Sequence, residues 1–187
     1  LSQLTTAFHV GASVALLDYL LPQDIMRALE HYPVSGLAAV PPLWQQLAKS
    51  TWPNSVRNRL RYITNSGGAM PVATTQALQA ILPNTNIYLM YGLTEAFRST
   101  YLEPAEVTQR PTSMGKAIPY AEVQVVRPDG SLCDDNEAGE LVHSGPLVAK
   151  GYWQNKPATA QRFKQGAVWS GDLVKRDAKG YLYFIGR

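Results

Sequence analysis

The chain has 187 residues, 45% of them hydrophobic and 17% charged, with a formal net charge of +3. That length can bury a substantial core as one domain or two small ones, and the composition excludes a disordered chain. The positive excess forms no basic block of the kind that grips nucleic acid. Its densest cluster, "RNRLR" at 57–61, reads as a solvated face.

A single cysteine, Cys133, rules out an internal disulfide and fits a reducing compartment, so a cytoplasmic location is expected. The longest apolar stretch, "VGASVALLDYLL" at 10–21, is broken by Asp18 and is too short to span a bilayer. The chain starts at Leu1 without an initiator methionine and stops on "FIGR". It is therefore expected to be a piece of a longer polypeptide, with apolar surface left open to self-association.

Taken in order, "ASVALL" (12–17) predicts a strand, with His9 just ahead of it and set aside as a catalytic candidate. "PQDIMRALEHY" (22–32) spaces Ile25, Met26, Leu29 and Tyr32 as a helix does, and "GLAAV" (36–40) predicts a buried strand. "PLWQQLAKS" (42–50) predicts a helix opened by proline, and "LRYIT" (60–64) a strand. "PVATTQALQAIL" (71–82) and "NIYLMY" (86–91) predict a further helix and strand. Alternation at this pitch implies βαβ units and a mostly parallel sheet, whose ligands sit in loops beyond the carboxyl ends of the strands.

The second half changes character. "AEVQVVRPDGS" (121–131) alternates and then turns at Pro128-Asp129-Gly130, and "GELVHSG" (139–145) and "AVWSGDLVKRDAKGYLYFIG" (167–186) predict antiparallel strands. A short helix around "KPATAQRF" (156–163) interrupts them. The expected architecture is an α/β layer over 1–110 and a β-rich, distorted barrel-like subdomain over 111–187.

Three loops could carry chemistry. "NSGGAMP" (65–71) places two glycines between a strand and a helix, which suits either a tight turn or a close backbone approach to an anion. In "YGLTE" (91–95), Thr94 and Glu95 either cap a helix, or supply a hydroxyl for phosphate and a hard oxygen for Mg²⁺. "SGDLVKRDAKGYLYFIGR" offers Asp172 for a sugar diol and Arg187 as a fork for phosphate or ribose. Asp177 and Gly180 read as a hairpin turn there, and His143 reads as a structural side chain in a strand. His31 sits at a helix end, where it favours the dipole.

Together, "VPPLW", "NSGGAMP", "YGLTE", "GELVHSGPLVAKGYW", "SGDL" and "GYLYFIGR" resemble, in order and spacing, the adenylate-forming superfamily of acyl-CoA synthetases, peptide-synthetase adenylation domains and luciferases. The resemblance covers essentially the whole chain. "MYGLTEAFRSTYL" and "RPTSMGKAIPYAEVQVV" look most like the exosortase-associated acyl-CoA ligases of bacterial polysaccharide loci.

The resemblance implies a two-step reaction in which a carboxylic acid and ATP give an acyl-adenylate, and coenzyme A or a carrier protein then takes the acyl group. It implies that Gly68, Ala69 and Met70 line the adenine, that Tyr91 stacks on it or borders it, and that Met90, Gly92 and Leu93 flank the nucleotide. Thr94 would hold the α-phosphate, Glu95 would bind Mg²⁺, Asp172 the ribose hydroxyls, and Arg187 the ribose or phosphate. Val40 and Gly67 would line the acyl pocket. No phosphate loop of the form STGxPKG occurs, and the C-terminal domain that carries the family's lysine would follow Arg187. The chain is thus expected to be the later part of the large N-terminal domain, inactive without the missing parts of its parent. A non-catalytic nucleotide-binding relative is the remaining alternative.

Overall fold

The computed structural model describes residues 2–187, with side chains from Leu4 onward. The chain divides into two compact units, one ending at Tyr88 and one running from Leu89 to Arg187.

The first unit begins with helix α1 (Ser2–His9), so His9 ends a helix rather than preceding a strand. Residues 12–19 form no regular element, which corrects the strand expected at 12–17. A strand needs a partner ladder and a covered face, and here Leu16 and Leu20 are 80% and 92% exposed.

Helix α2 (Pro22–His31) follows, with Pro22 in its first turn, and buries Ile25, Met26 and Leu29. Strand β1 (Gly36–Ala39) leads into α3 (Pro41–Leu47), a short α4 (Asn54–Arg59) and strand β2 (Tyr62–Asn65). β1 and β2 pair in parallel, Gly36 opposite Tyr62. Helix α5 (Val72–Ile81) and strand β3 (Asn86–Tyr91) complete the expected alternation.

Trp44 is fully buried on α3 and donates its indole N–H to the Thr64 carbonyl at 3.3 Å. Trp52 donates to the Leu47 carbonyl at 2.8 Å. Burying side chains of this kind contributes roughly 1.5–3 kcal/mol each, and the indole hydrogen bonds remove the cost of hiding their polar atoms.

The arginines of 57–61 are not merely a solvated face. Arg59 sends Nη2 to the carbonyls of Leu29 (2.6 Å) and Tyr32 (3.2 Å) at the end of α2, and Nε to Val34 (3.3 Å). Arg57 Nε donates to the Ile81 carbonyl at the end of α5 (2.9 Å). Cations here satisfy carbonyls that a helix leaves unpaired at its C-terminus and match its negative dipole end.

In the second unit β3 pairs antiparallel with β4 (Thr100–Leu102), and β4 with β5 (Ser113–Ala117). Strands β6 (Glu122–Val126) and β7 (Ala138–Ser144) follow, then helix α6 (Lys156–Arg162). A two-residue β8 (Phe163–Lys164), a long β9 (Ala167–Arg176) and β10 (Leu182–Gly186) finish the chain. The strand order is β3-β4-β5-β10-β9-β7-β6, with β8 on β9. Among the described residues this order stays open, without the barrel-like closure expected. Its core gathers Met114, Val125, Cys133, Leu141, Val174 and Leu182.

The β9–β10 turn is the expected one: Asp177 Oδ1 accepts from the amides of Lys179 and Tyr181, and Gly180 takes a φ of +82°. Among the described residues no helix is long and apolar enough to cross a membrane.

Candidate nucleotide and metal site

Strand alternation places the first carboxylate. Along β9, Val168, Ser170, Asp172 and Val174 are buried on one face. Period-two geometry therefore carries Asp172 inward, and only 4% of it is exposed. A buried carboxylate must be satisfied. Tyr91, the last residue of β3, donates its hydroxyl to Asp172 Oδ2 at 2.6 Å. Arg187 Nε donates to Oδ1 at 2.8 Å. Burial, reinforced by the bond to Asp172, pushes the Tyr91 hydroxyl well above its ordinary pKa, so it stays a donor. A carboxylate offers about four lone-pair positions, so two donors leave room for a diol.

No helix begins at Thr94; the chain turns back instead, which removes the capping reading of "YGLTE". Leu93 N–H donates to the Ala96 carbonyl (3.2 Å) and Ser99 N–H to the Tyr91 carbonyl (2.9 Å). Gly92 is needed for close approach: a Cβ there would lie 2.8 Å from the Arg98 backbone nitrogen. Thr94 is exposed on this turn.

Glu95 is held by the 148–152 segment. The Ala149 N–H donates to its carbonyl at 2.7 Å, and Ala96 and Val148 form a bridge. The Tyr152 hydroxyl donates to Glu95 Oε1. That bond, followed by burial, raises the Tyr152 pKa. Tyr152 is itself fixed: its N–H donates to Thr159 Oγ1 on α6 at 2.9 Å, and its ring meets Phe163 edge-on at 5.5 Å. Sequence reasoning did not single out Tyr152, and no local pattern in "KGYWQ" marks it.

Among the described residues no group of three or more His, Cys, Asp and Glu side chains gathers to hold a metal. Glu95, with one oxygen directed by Tyr152 and the other without a hydrogen bond among the described residues, fits Mg²⁺ only as a single carboxylate ligand. That ion commonly takes one or two carboxylates beside phosphates and water.

His143 on β7 is fully buried, with Nδ1 2.8 Å from Ser99 Oγ and Nε2 without a partner among the described residues. Burial lowers its pKa, so the ring is neutral.

The other glycine-containing loop lies in the first unit. Asn65 donates its amide to the Gly68 carbonyl at 3.0 Å and ties down "NSGGAM", where Gly67 has a φ of +91°. A Cβ on Gly67 would touch Val40 at 3.4 Å, and one on Gly68 would crowd Pro41 at 3.3 Å. Val40 is half exposed, while Met70 is buried, at 7% exposure. The structure thus brings Tyr91, Asp172 and Arg187 together in one unit, and Val40, Gly67 and Gly68 together in the other.

Comparison with solved structures defines the class. The chain superposes over its full length, with a TM-score of 0.89 and 27% identity, on 38% of the o-succinylbenzoate CoA synthetase of Bacillus subtilis in complex with its acyl-adenylate intermediate. That synthetase has also been solved with ATP and a magnesium ion (TM-score 0.88). Residues 1–153 match the model of the AMP-binding enzyme family, and the chain belongs to that family. It is 28% identical to indoleacetate–CoA ligase of Aromatoleum aromaticum over 188 aligned residues, covering all of this chain and 36% of that enzyme. Feruloyl-CoA synthase of an Amycolatopsis species is 31% identical over 179 residues, covering 95% of this chain and 36% of that one. The chain therefore spans little more than a third of these relatives.

Proposed function

We propose that this chain is the later part of the large N-terminal domain of a cytoplasmic AMP-forming acid–thiol ligase. In the first step an oxygen of a carboxylic acid attacks the α-phosphorus of ATP, forming an acyl-adenylate and expelling pyrophosphate. In the second the sulfur of coenzyme A attacks the acyl carbon, forming a thioester and releasing AMP.

The observation that carries this reading is the buried Asp172 with Tyr91 and Arg187 on its two oxygens. A buried anion oriented this way suits a ribose diol, and the arginine beside it suits a ribose or phosphate oxygen. Thr94 holds the α-phosphate with its exposed hydroxyl. Glu95, oriented by Tyr152, would hold Mg²⁺ through its other oxygen, and the ion would supply neutralisation of phosphate charge. Met90, at the end of β3, and Gly92 and Leu93, in the turn that follows it, border the nucleotide. In the first unit, the resemblance assigns Gly68, Ala69 and Met70 to the adenine, and Val40 and Gly67 to the acyl group. The chain contains no STGxPKG loop, so adenylation requires further parts of its parent.

The test uses the full-length protein with ATP, Mg²⁺, coenzyme A and a panel of carboxylic acids, read for AMP and acyl-CoA by mass spectrometry. Thioester formation that is lost in Glu95→Ala and Asp172→Ala is the expected result. Adenylate without transfer to coenzyme A would assign a carrier-protein acceptor instead. Absence of AMP with every acid would overturn the ligase reading.

A further inference from the structure

Arg98 stands three residues beyond Glu95, and two features of it are costly. Its backbone lies in the left-handed region, at a φ of +60°, which for a residue with a side chain costs on the order of 1 kcal/mol. The turn imposes this, since the Ser99 and Leu93 hydrogen bonds fold the chain back over Gly92. Glycine or asparagine would accept that backbone more readily, so the conformation does not explain an arginine here.

The second feature is electrostatic. Nη1 of Arg98 is sealed from solvent and has no hydrogen-bond partner among the described residues. The guanidinium lies 5.1 Å from the centre of the Phe97 ring. Burial alone lowers its pKa, with no carboxylate to oppose it. Three other arginines of this unit are provided for. Arg110 pairs with Glu106 and Asp177, Arg127 with Asp134 and Glu137, and Arg187 with Asp172. The residue as a whole is only partly buried, so the rest of the guanidinium stays open to an anion that would offset the cost of a half-hidden cation without a counter-charge.

We propose that Arg98 is an oxyanion-binding residue of this site, and that a phosphoryl or carboxylate oxygen of a bound reactant supplies the counter-charge its guanidinium lacks. The proposal rests on the functional reading above, whose reactants include ATP, pyrophosphate and a carboxylic acid. A guanidinium gives such an oxygen a charge-assisted bond with a fixed direction. If the oxygen belongs to a second carboxylate on the acid, Arg98 also defines the substrate class as dicarboxylic.

Binding to the full-length protein and to Arg98→Met and Arg98→Lys is measured by equilibrium dialysis. The probes are adenosine, Mg·ATP, pyrophosphate, hexanoate and adipate. Arg98→Met is expected to weaken at least one anionic probe by about ten- to a hundredfold while retaining adenosine, with partial recovery in Arg98→Lys. Loss confined to ATP or pyrophosphate assigns a phosphoryl oxygen. Loss of both acids assigns the reacting carboxylate, and loss of adipate alone assigns a second one. Unchanged affinity for every anion, with adenosine still bound, overturns the proposal. Parallel loss of adenosine and anions in both variants marks a structural guanidinium and overturns it too. Failure of the wild-type protein to bind adenosine or ATP is a different result, and it counts against the functional reading itself.

Discussion

The Tyr152 hydroxyl donates to Oε1 of Glu95 across 57 positions of sequence. The backbone alongside is tied as well, by the Ala149 N–H on the Glu95 carbonyl and the Ala96–Val148 bridge. Glu95 is thus held at both its main chain and its side chain, and its second carboxylate oxygen has no hydrogen bond among the described residues. Tyr152→Phe removes the side-chain tie but keeps the ring against Phe163. A hydrogen bond of this partly exposed kind is worth about 1 kcal/mol, or roughly fivefold in an equilibrium constant. The Mg²⁺ concentration for half-maximal ATP binding should rise by about that factor, as read by calorimetric titration. An unchanged Mg²⁺ dependence would show that Tyr152 only packs.

Asp172 is the more demanding position because it is buried. Asp172→Asn keeps the shape but turns one acceptor into a donor, which then faces either the Tyr91 hydroxyl or Arg187 Nε. AMP affinity should fall at least tenfold, and thermal stability should fall with it. Tyr91→Phe leaves Oδ2 short of a donor while Arg187 still serves Oδ1, at a cost of about 1–3 kcal/mol of stability. Measured together, Asp172→Asn should lose more AMP affinity than Tyr91→Phe. The reverse order would remove Asp172 from the ribose.

Much of this was legible beforehand, for physical reasons. Helical spacing in α2 and the period of two in β9 are imposed by burial, so they are written in the residues, and Asp172 is inward because Val168 and Val174 are. The first twenty residues were not legible. An apolar run such as "VGASVALL" has no period that separates a strand from an exposed irregular segment. Thr94 and Glu95 look like a helix start because the cap and the turn use the same residues, and the deciding bond, Ser99 N–H to Tyr91, bridges across the motif. Arg59 and Tyr152 act on groups 25–57 positions away, and no local pattern records that.

Arg59 gives a test confined to the first unit. Arg59→Met keeps the aliphatic stem but takes the guanidinium donor from the carbonyls of Leu29, Tyr32 and Val34, of which Tyr32 keeps the Val34 N–H at 2.8 Å. The end of α2 should loosen, at a cost of about 1–3 kcal/mol. Arg59→Lys should recover only part of this, because one ammonium cannot reach three carbonyls as the planar fork does. Urea unfolding followed by tryptophan fluorescence reads it, since Trp44 and Trp52 are buried in this unit. A lysine variant as stable as the wild type would mean that charge alone, without the fork, holds the helix end.

His143 ties stability to pH, and the direction follows from its burial. Its folded pKa lies below the ordinary 6.5 because the cation is penalised inside the sheet. Below about pH 6.5 the unfolded chain binds a proton that the folded chain refuses. The stability is therefore present above that value and is lost as pH falls towards the folded pKa. The slope cannot exceed about 1.4 kcal/mol per pH unit for one group. His143→Gln retains an amide for Ser99 and has nothing to titrate, so its unfolding midpoint should be flatter between pH 7 and 5.5. That window lies above the ordinary range of carboxylates, and the remaining histidines, His9 and His31, are exposed. Parallel midpoint curves for variant and wild type would mean that His143 accepts its proton in the folded state. In that case the buried Nε2 must find an acceptor when the ring is charged, and an NMR titration of the imidazole would show it directly.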